Sequence, residues 1–196
     1  MYDKINITEN HLRILSLFSS RYNESYYIRE IQRILNVSPR TSQLILDDLE
    51  KKGVLESRIE GKIRKYKLRN NQIAIDYMIF AEQYKKICFL KDKDFIEEII
   101  AKIIPFIDGI GLIFGSYASG EEREDSDLDI FVAGEYNDKK IREISKLYDI
   151  EISIKKYPIK IFENEINKDH LLKEILSNHV IFLNAFKFVR TVLKNE

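Results

Sequence analysis

Apolar positions along the first third of the chain recur at helical intervals and then give way to alternation. In "ENHLRILSLFSS", Leu12, Leu15 and Phe18 share one face, and Thr8 stands where an N-cap is needed. A second helix is predicted in "YYIREIQRILNV", with Ile28, Ile31, Ile34 and Leu35 inward. A third is marked in "SPRTSQLILDDLEKKG", where Ser38 caps, Pro39 takes the first turn and Gly53 terminates. Next, "VLESRI" and "KIRKYKL" flank a turn at Glu60-Gly61 and predict a hairpin.

Three helices followed by a two-stranded hairpin resemble a winged helix-turn-helix over Thr8 to Arg69. Between Ser57 and Asn70 the hairpin holds Arg58, Lys62, Arg64, Lys65, Lys67 and Arg69 against a single acid, Glu60. Such an excess suits a phosphate backbone, DNA or RNA. Arg40, Thr41, Ser42 and Gln43 would then form the base-facing start of the third helix. The alternating cations also fit the solvated face of an edge hairpin.

From Gln72 to Leu90 a further helix is predicted, with Tyr77, Phe80, Tyr84 and Ile87 at helical spacing. It is expected to pack between the halves or across a homodimer, with Cys88 as a small buried side chain. Beyond it, "DFIEEIIAKIIPF" reads as a helix ended by Pro105 and Gly109, before the apolar run "IGLIF". Then come a glycine turn, a short helix, the strand "LDIFVA", the helix "DKKIREISKLY" and the strand "IEISI". The tail reads as two helices flanking a short strand, Val180 to Leu183. The pattern is mixed α/β.

The composition narrows the function classes. Of 196 residues, 44% are hydrophobic and 33% charged, and the formal net charge is zero, which excludes a purely electrostatic nucleic-acid binder but not local patches. No apolar run approaches a membrane span, and the single cysteine fits a cytoplasmic chain. His11, expected on an exposed helical face, His170, expected in a first helical turn, and His179 have no metal-ligand spacing to one another.

The densest chemistry lies in "GSYASGEEREDSDLDIFV", Gly115 to Val132. A glycine turn between a buried strand and a short helix frees backbone N–H groups, which with the Ser116 hydroxyl make a phosphate cradle. Asp127 and Asp129, two apart, project from one face of a strand while Leu128 and Ile130 go to the core. Paired carboxylates beside a phosphate cradle are the oxygen ligands that Mg²⁺ or Mn²⁺ needs to bridge protein and triphosphate. In "YDIEISIKKY" the isoleucines share one face and leave Asp149, Glu151 and Ser153 on the other. Glu151 is the expected third carboxylate, for a metal or for the acceptor's proton, and Asp149 is the fallback.

This stretch resembles the signature of the polymerase-β-like nucleotidyltransferase superfamily in its minimal form. That signature is glycine, serine, three residues, glycine, five residues, then Ser-Asp-any-Asp and a valine three residues on. The resemblance implies transfer of a nucleoside monophosphate from a metal-bound NTP, with release of pyrophosphate. Gly115, Ser116, Gly120 and Ser126 would serve the nucleotide, and Asp127, Asp129 and Glu151 would be catalytic and bind metal. Two departures stand out: Ser119 where minimal members often carry arginine, and glutamate where the third carboxylate is usually aspartate. Some minimal members are antitoxins that modify a partner protein, so the acceptor is a nucleic-acid end, a small molecule or a protein hydroxyl. The competing reading is a DNA-binding transcriptional regulator or antitoxin whose second half senses nucleotide without turnover. The expected architecture is α+β: a winged helix-turn-helix domain over 1–70, a connecting helix over 71–92, and a small mixed α/β nucleotidyltransferase domain over 93–196.

Overall fold

A computed structural model describes residues 5–123 and 125–194. The chain divides into two compact units, one ending at Ala81 and the other beginning at Glu82.

The first unit contains helices α1 (Glu9–Ser20), α2 (Ile28–Leu35) and α3 (Pro39–Lys51), and strands β1 (Tyr26–Tyr27), β2 (Leu55–Glu60) and β3 (Ile63–Leu68). The strands form one antiparallel sheet in the order β1-β3-β2. Ile14, Leu15, Phe18, Ile31, Leu46, Leu49, Leu55 and Tyr66 are fully buried and make the core. Ser38 caps α3 by accepting a hydrogen bond from the Thr41 N–H, with Pro39 at the first helical position.

Several local expectations are corrected here. Tyr26 and Tyr27 are strand rather than helix, pairing with Tyr66 and Lys65. Ile34 is exposed, because α2 ends at Leu35 and turns only its Ile31 side to the core. His11 is buried rather than exposed. It is the third residue of α1, where its ring closes a capping box with Thr8 and reaches Asp48 of α3 at 3.2 Å. Along α4 (Gln72–Leu90) the buried side is Ala74, Ile75, Met78, Ala81 and Glu82. Phe80, Ile87 and Cys88 are exposed.

The second unit is built on a four-stranded sheet in the order β6-β5-β4-β7, from β4 (Ile107–Ile113), β5 (Leu128–Tyr136), β6 (Ile152–Tyr157) and β7 (Val180–Leu183). β4 pairs antiparallel with both β5 and β7, and β5 pairs parallel with β6. The parallel pair needs a crossover, supplied by α7 (Asp138–Tyr148). Isoleucines of α5 (Asp94–Ile103) and of α7 pack with Leu128, Ile130 and Val132 on one face of the sheet. On the other face Phe131 meets Phe162 of α8 (Ile159–Glu165), and Phe162 stacks on Phe188 of α10 (Ala185–Lys194), with α9 (His170–Ser177) between α8 and β7 in the chain. The strand "LDIFV" is therefore covered on both sides, except near its start.

Gly109 does not end a helix. A 3₁₀ turn over Ile104–Phe106 follows α5, and Gly109 sits within β4 opposite Gly134 of β5, at φ +142° and +144°. A Cβ on either would collide with the backbone of the opposite strand, so this pair lets the two chains come unusually close.

Candidate functional site

The glycine-serine turn opens α6 (Gly115–Ser119), between β4 and the acidic loop. Gly115 holds φ +68°, and a Cβ there would run into the carboxylate of Asp129. Two further bonds fasten this corner. The Phe114 N–H donates to the Asp129 carbonyl at 3.1 Å, and the Glu121 N–H donates to the Ser116 carbonyl at 3.0 Å. Gly120 is the left-handed cap that ends α6. The Ser126 hydroxyl accepts from the Arg123 N–H at 2.8 Å, and the Ser126 N–H donates to the Arg123 carbonyl at 3.0 Å. In this geometry Ser126 closes the turn that delivers Asp127.

Asp127 lies just ahead of β5 and is exposed, while Asp129 is half-buried. Burial and then the charge of Asp127 push the Asp129 carboxyl above its ordinary range. Lys155 and a hydrogen bond from Ser153 pull it partly back. A half-buried carboxylate beside a second one is the electrostatic situation that a divalent cation relieves. Mg²⁺ is commonly held by one or two carboxylates plus substrate phosphates, and this pair fits that role.

The third carboxylate stands just ahead of β6, as Asp127 stands just ahead of β5. Glu151 immediately precedes β6 and is exposed, and its carbonyl accepts from the Leu128 N–H at 2.8 Å. Asp149 is the left-handed cap of α7. The residue registered opposite Asp129 is Ser153, followed on that face by Lys155 opposite Phe131. Among the described residues no three His, Cys, Asp or Glu side chains converge as a metal cluster. Alternation in "EISIKKY" already put Ser153 on the face of Glu151. Extending it by one step would have found Lys155.

Contacts that sequence spacing does not reveal hold α6 in place. Lys93, just ahead of α5, pairs with Glu122 and lies near the rings of Phe89 and Tyr117, at 5.4 and 5.9 Å. The Asn178 amide, with its nitrogen toward the Ala118 carbonyl at 2.9 Å and its oxygen toward the Ser119 N–H at 3.2 Å, bridges the end of the same helix. Asn178 precedes the fully buried His179, whose Nε2 lies 3.2 Å from Glu82 and 3.4 Å from Lys85.

Residues 96–186 match the family model described as Polymerase beta, Nucleotidyltransferase. The match runs from α5 to the start of α10 and takes in the whole sheet, the Gly115 turn and the acidic pair. It supports a nucleotidyltransferase-type activity and a nucleotide substrate for this half. No curated protein and no solved structure matches the chain. No described helix is long and apolar enough to cross a membrane.

In the first unit the basic hairpin is less cationic than its sequence. Arg64 pairs with Asp47 at 3.1 Å and with Glu50, and its guanidinium lies 5.0 Å from the Tyr66 ring centroid. Tyr66 in turn donates to Asp47 at 3.0 Å, and burial first, then this bond, push its hydroxyl up to about 12. Arg58 and Lys65 share Glu60, each at 2.6 Å, and Lys67 reaches Glu56 at 3.2 Å. Lys62 has no ion pair among the described residues, and Arg40 is exposed at the start of α3. Gln43 is half-buried and Ser42 is fully buried, so Ser42 cannot face a base.

Proposed function

We propose that the chain transfers a nucleoside monophosphate from a metal-bound NTP to an acceptor hydroxyl. The observation that carries this reading is the contact between the Gly115 turn and Asp129, inside the matched segment and beside Asp127. Gly115 and Ser116 hold the triphosphate at the mouth of α6, with Gly120 and Ser126 shaping the loop on either side. Asp127 and Asp129 present oxygens from the start of β5. When bound there, Mg²⁺ or Mn²⁺ neutralises phosphate charge and supports in-line displacement. Glu151, just ahead of β6, takes the proton of the attacking hydroxyl or completes the ligand set. The deciding experiment incubates the full chain with each labelled NTP and Mg²⁺ or Mn²⁺, with and without nucleic-acid, small-molecule and protein acceptors. Label transfer that requires metal supports the proposal. Metal-independent NTP binding without transfer overturns it.

A second reading, nucleotide sensing without turnover, is favoured by Ser153 standing opposite Asp129 and by the absence of a three-carboxylate cluster among the described residues. For the first unit, the element order supports a winged helix-turn-helix, as a nucleic-acid reader or as the part that docks a partner protein acceptor. Arg40, Gln43 and Lys62 are its best-placed contacts, because Arg58, Arg64, Lys65 and Lys67 would first have to leave acids on their own unit. A homodimer through the exposed side of α4 and a cytoplasmic site of action complete the proposal.

A further inference from the structure

α10 presents a solvent face without a single acid. Its sequence, "AFKFVRTVLK", buries Ala185, Phe188, Val189, Val192 and Leu193 and turns Phe186, Lys187, Arg190 and Lys194 outward. At offsets of three and four along the helix, the three cations share one stripe. None of them has an ion pair among the described residues, in contrast to Arg58, Arg64, Lys65 and Lys67 of the hairpin. The Phe186 ring is 48% exposed, and the Arg190 guanidinium lies 5.9 Å from its centroid. Phe186, the three cations and Thr191 line a groove with Glu163 of α8 as its opposite wall.

We infer that this α8–α10 groove binds single-stranded nucleic acid. Unpaired cations in a row track a phosphodiester backbone, and an exposed aromatic ring offers a stacking platform for a base that is free of its own strand. Duplex DNA cannot use that ring, because its bases are stacked on one another. Glu163 adds an acceptor for the exocyclic amine of cytosine or adenine, which thymine and uracil lack. Insertion into a lipid surface is disfavoured, since α10 spends its apolar face on the core of its own unit and leaves Phe186 as its exposed large apolar side chain. An acidic peptide would satisfy the cations but leave the ring and Glu163 without a role.

The test measures binding of labelled oligo(dC), oligo(dA), oligo(dT), their RNA counterparts and a mixed duplex by anisotropy, with the full chain and EDTA present. Omitting metal and NTP separates this result from any failure of catalysis. Single strands are expected to bind with a slope of log affinity against log salt of about −2, the value for three phosphates on a single strand. Charge reversal at Lys187, Arg190 and Lys194 should weaken binding by about tenfold or more, since three contacts become repulsive. A control with the exposed Lys139 and Lys146 of α7 changed to alanine should bind as the parent does. Phe186→Ala should weaken binding to every strand, and Glu163→Ala should erase the preference for oligo(dC) and oligo(dA). The reversed positions are exposed, so melting temperature and circular dichroism should match the parent. The inference falls if the α10 variant binds single strands like the parent, or if it loses duplex binding as much as single-strand binding. It also falls if polyglutamate competes as well as oligo(dC), or if no strand binds.

Discussion

Gly115 and Asp129 stand against each other: the backbone of the first occupies the space next to the carboxylate of the second, and no side chain fits between them. The proposed phosphate-binding turn and the proposed metal-binding pair are thus two sides of one contact. Gly115→Ala must push Asp129 aside or abandon φ +68°, a conformation that costs a non-glycine residue of order 1–3 kcal/mol where the surroundings oppose it. Calorimetry should show NTP affinity with Mg²⁺ falling at least about tenfold, the equivalent of 1.4 kcal/mol. Unchanged affinity would separate the turn from the acids.

Asp129→Asn should raise the melting temperature of the metal-free protein. It removes a half-buried charge that burial and Asp127 both disfavour. In the parent, Mg²⁺ with NTP should raise the melting temperature, because a ligand that binds only the folded state stabilises it. The variant should lose that increment. Thermal melts with and without EDTA read both effects, and an increment that survives in Asp129→Asn would place the metal elsewhere.

Glu151 separates turnover from sensing. If it takes the acceptor's proton, Glu151→Gln should lower transfer by about 10²–10⁴-fold, the usual worth of a general base, with NTP affinity largely kept. Asp149→Asn should be mild, since Asp149 is a helix cap. Single-turnover rates and NTP titrations give the two readouts. Undiminished transfer in Glu151→Gln would leave Ser153, opposite Asp129, as the better-placed polar group.

The buried His179 predicts acid sensitivity. Burial, and next the charge of Lys85, hold its ring below the ordinary value of 6.5, against the smaller opposing pull of Glu82. The unfolded chain therefore binds more protons than the folded one in the interval below about 6.5. Stability contributed by the neutral ring is complete above that pH and is lost as pH falls through the folded pKa. Urea midpoints measured from pH 7.5 to 5 should fall in the parent, and His179→Gln should flatten the slope while lowering the plateau. An equal slope in both proteins would assign the acid sensitivity to other groups.

What the sequence determined by itself was local. Helical spacing, the Ser38-Pro39 start of α3, the alternation in "LDIFV" and the glycine-to-aspartate spacing of the signature all act within a few residues. Each survived folding as an element or a turn. The charges were different, because a cation's partner is chosen by tertiary proximity. Arg64 reads as free until α3 brings Asp47 and Glu50 beside it, and Glu122 reads as part of an acidic loop until Lys93 arrives from the start of α5. His11 and His179 were likewise decided by packing, one held in the first turn of α1 by Thr8 and Asp48, the other buried with Glu82, 97 positions away. Register settled the rest. Side chains on neighbouring strands share a face only in pairs, and which residue stands opposite Asp129 depends on a strand that begins beyond α7.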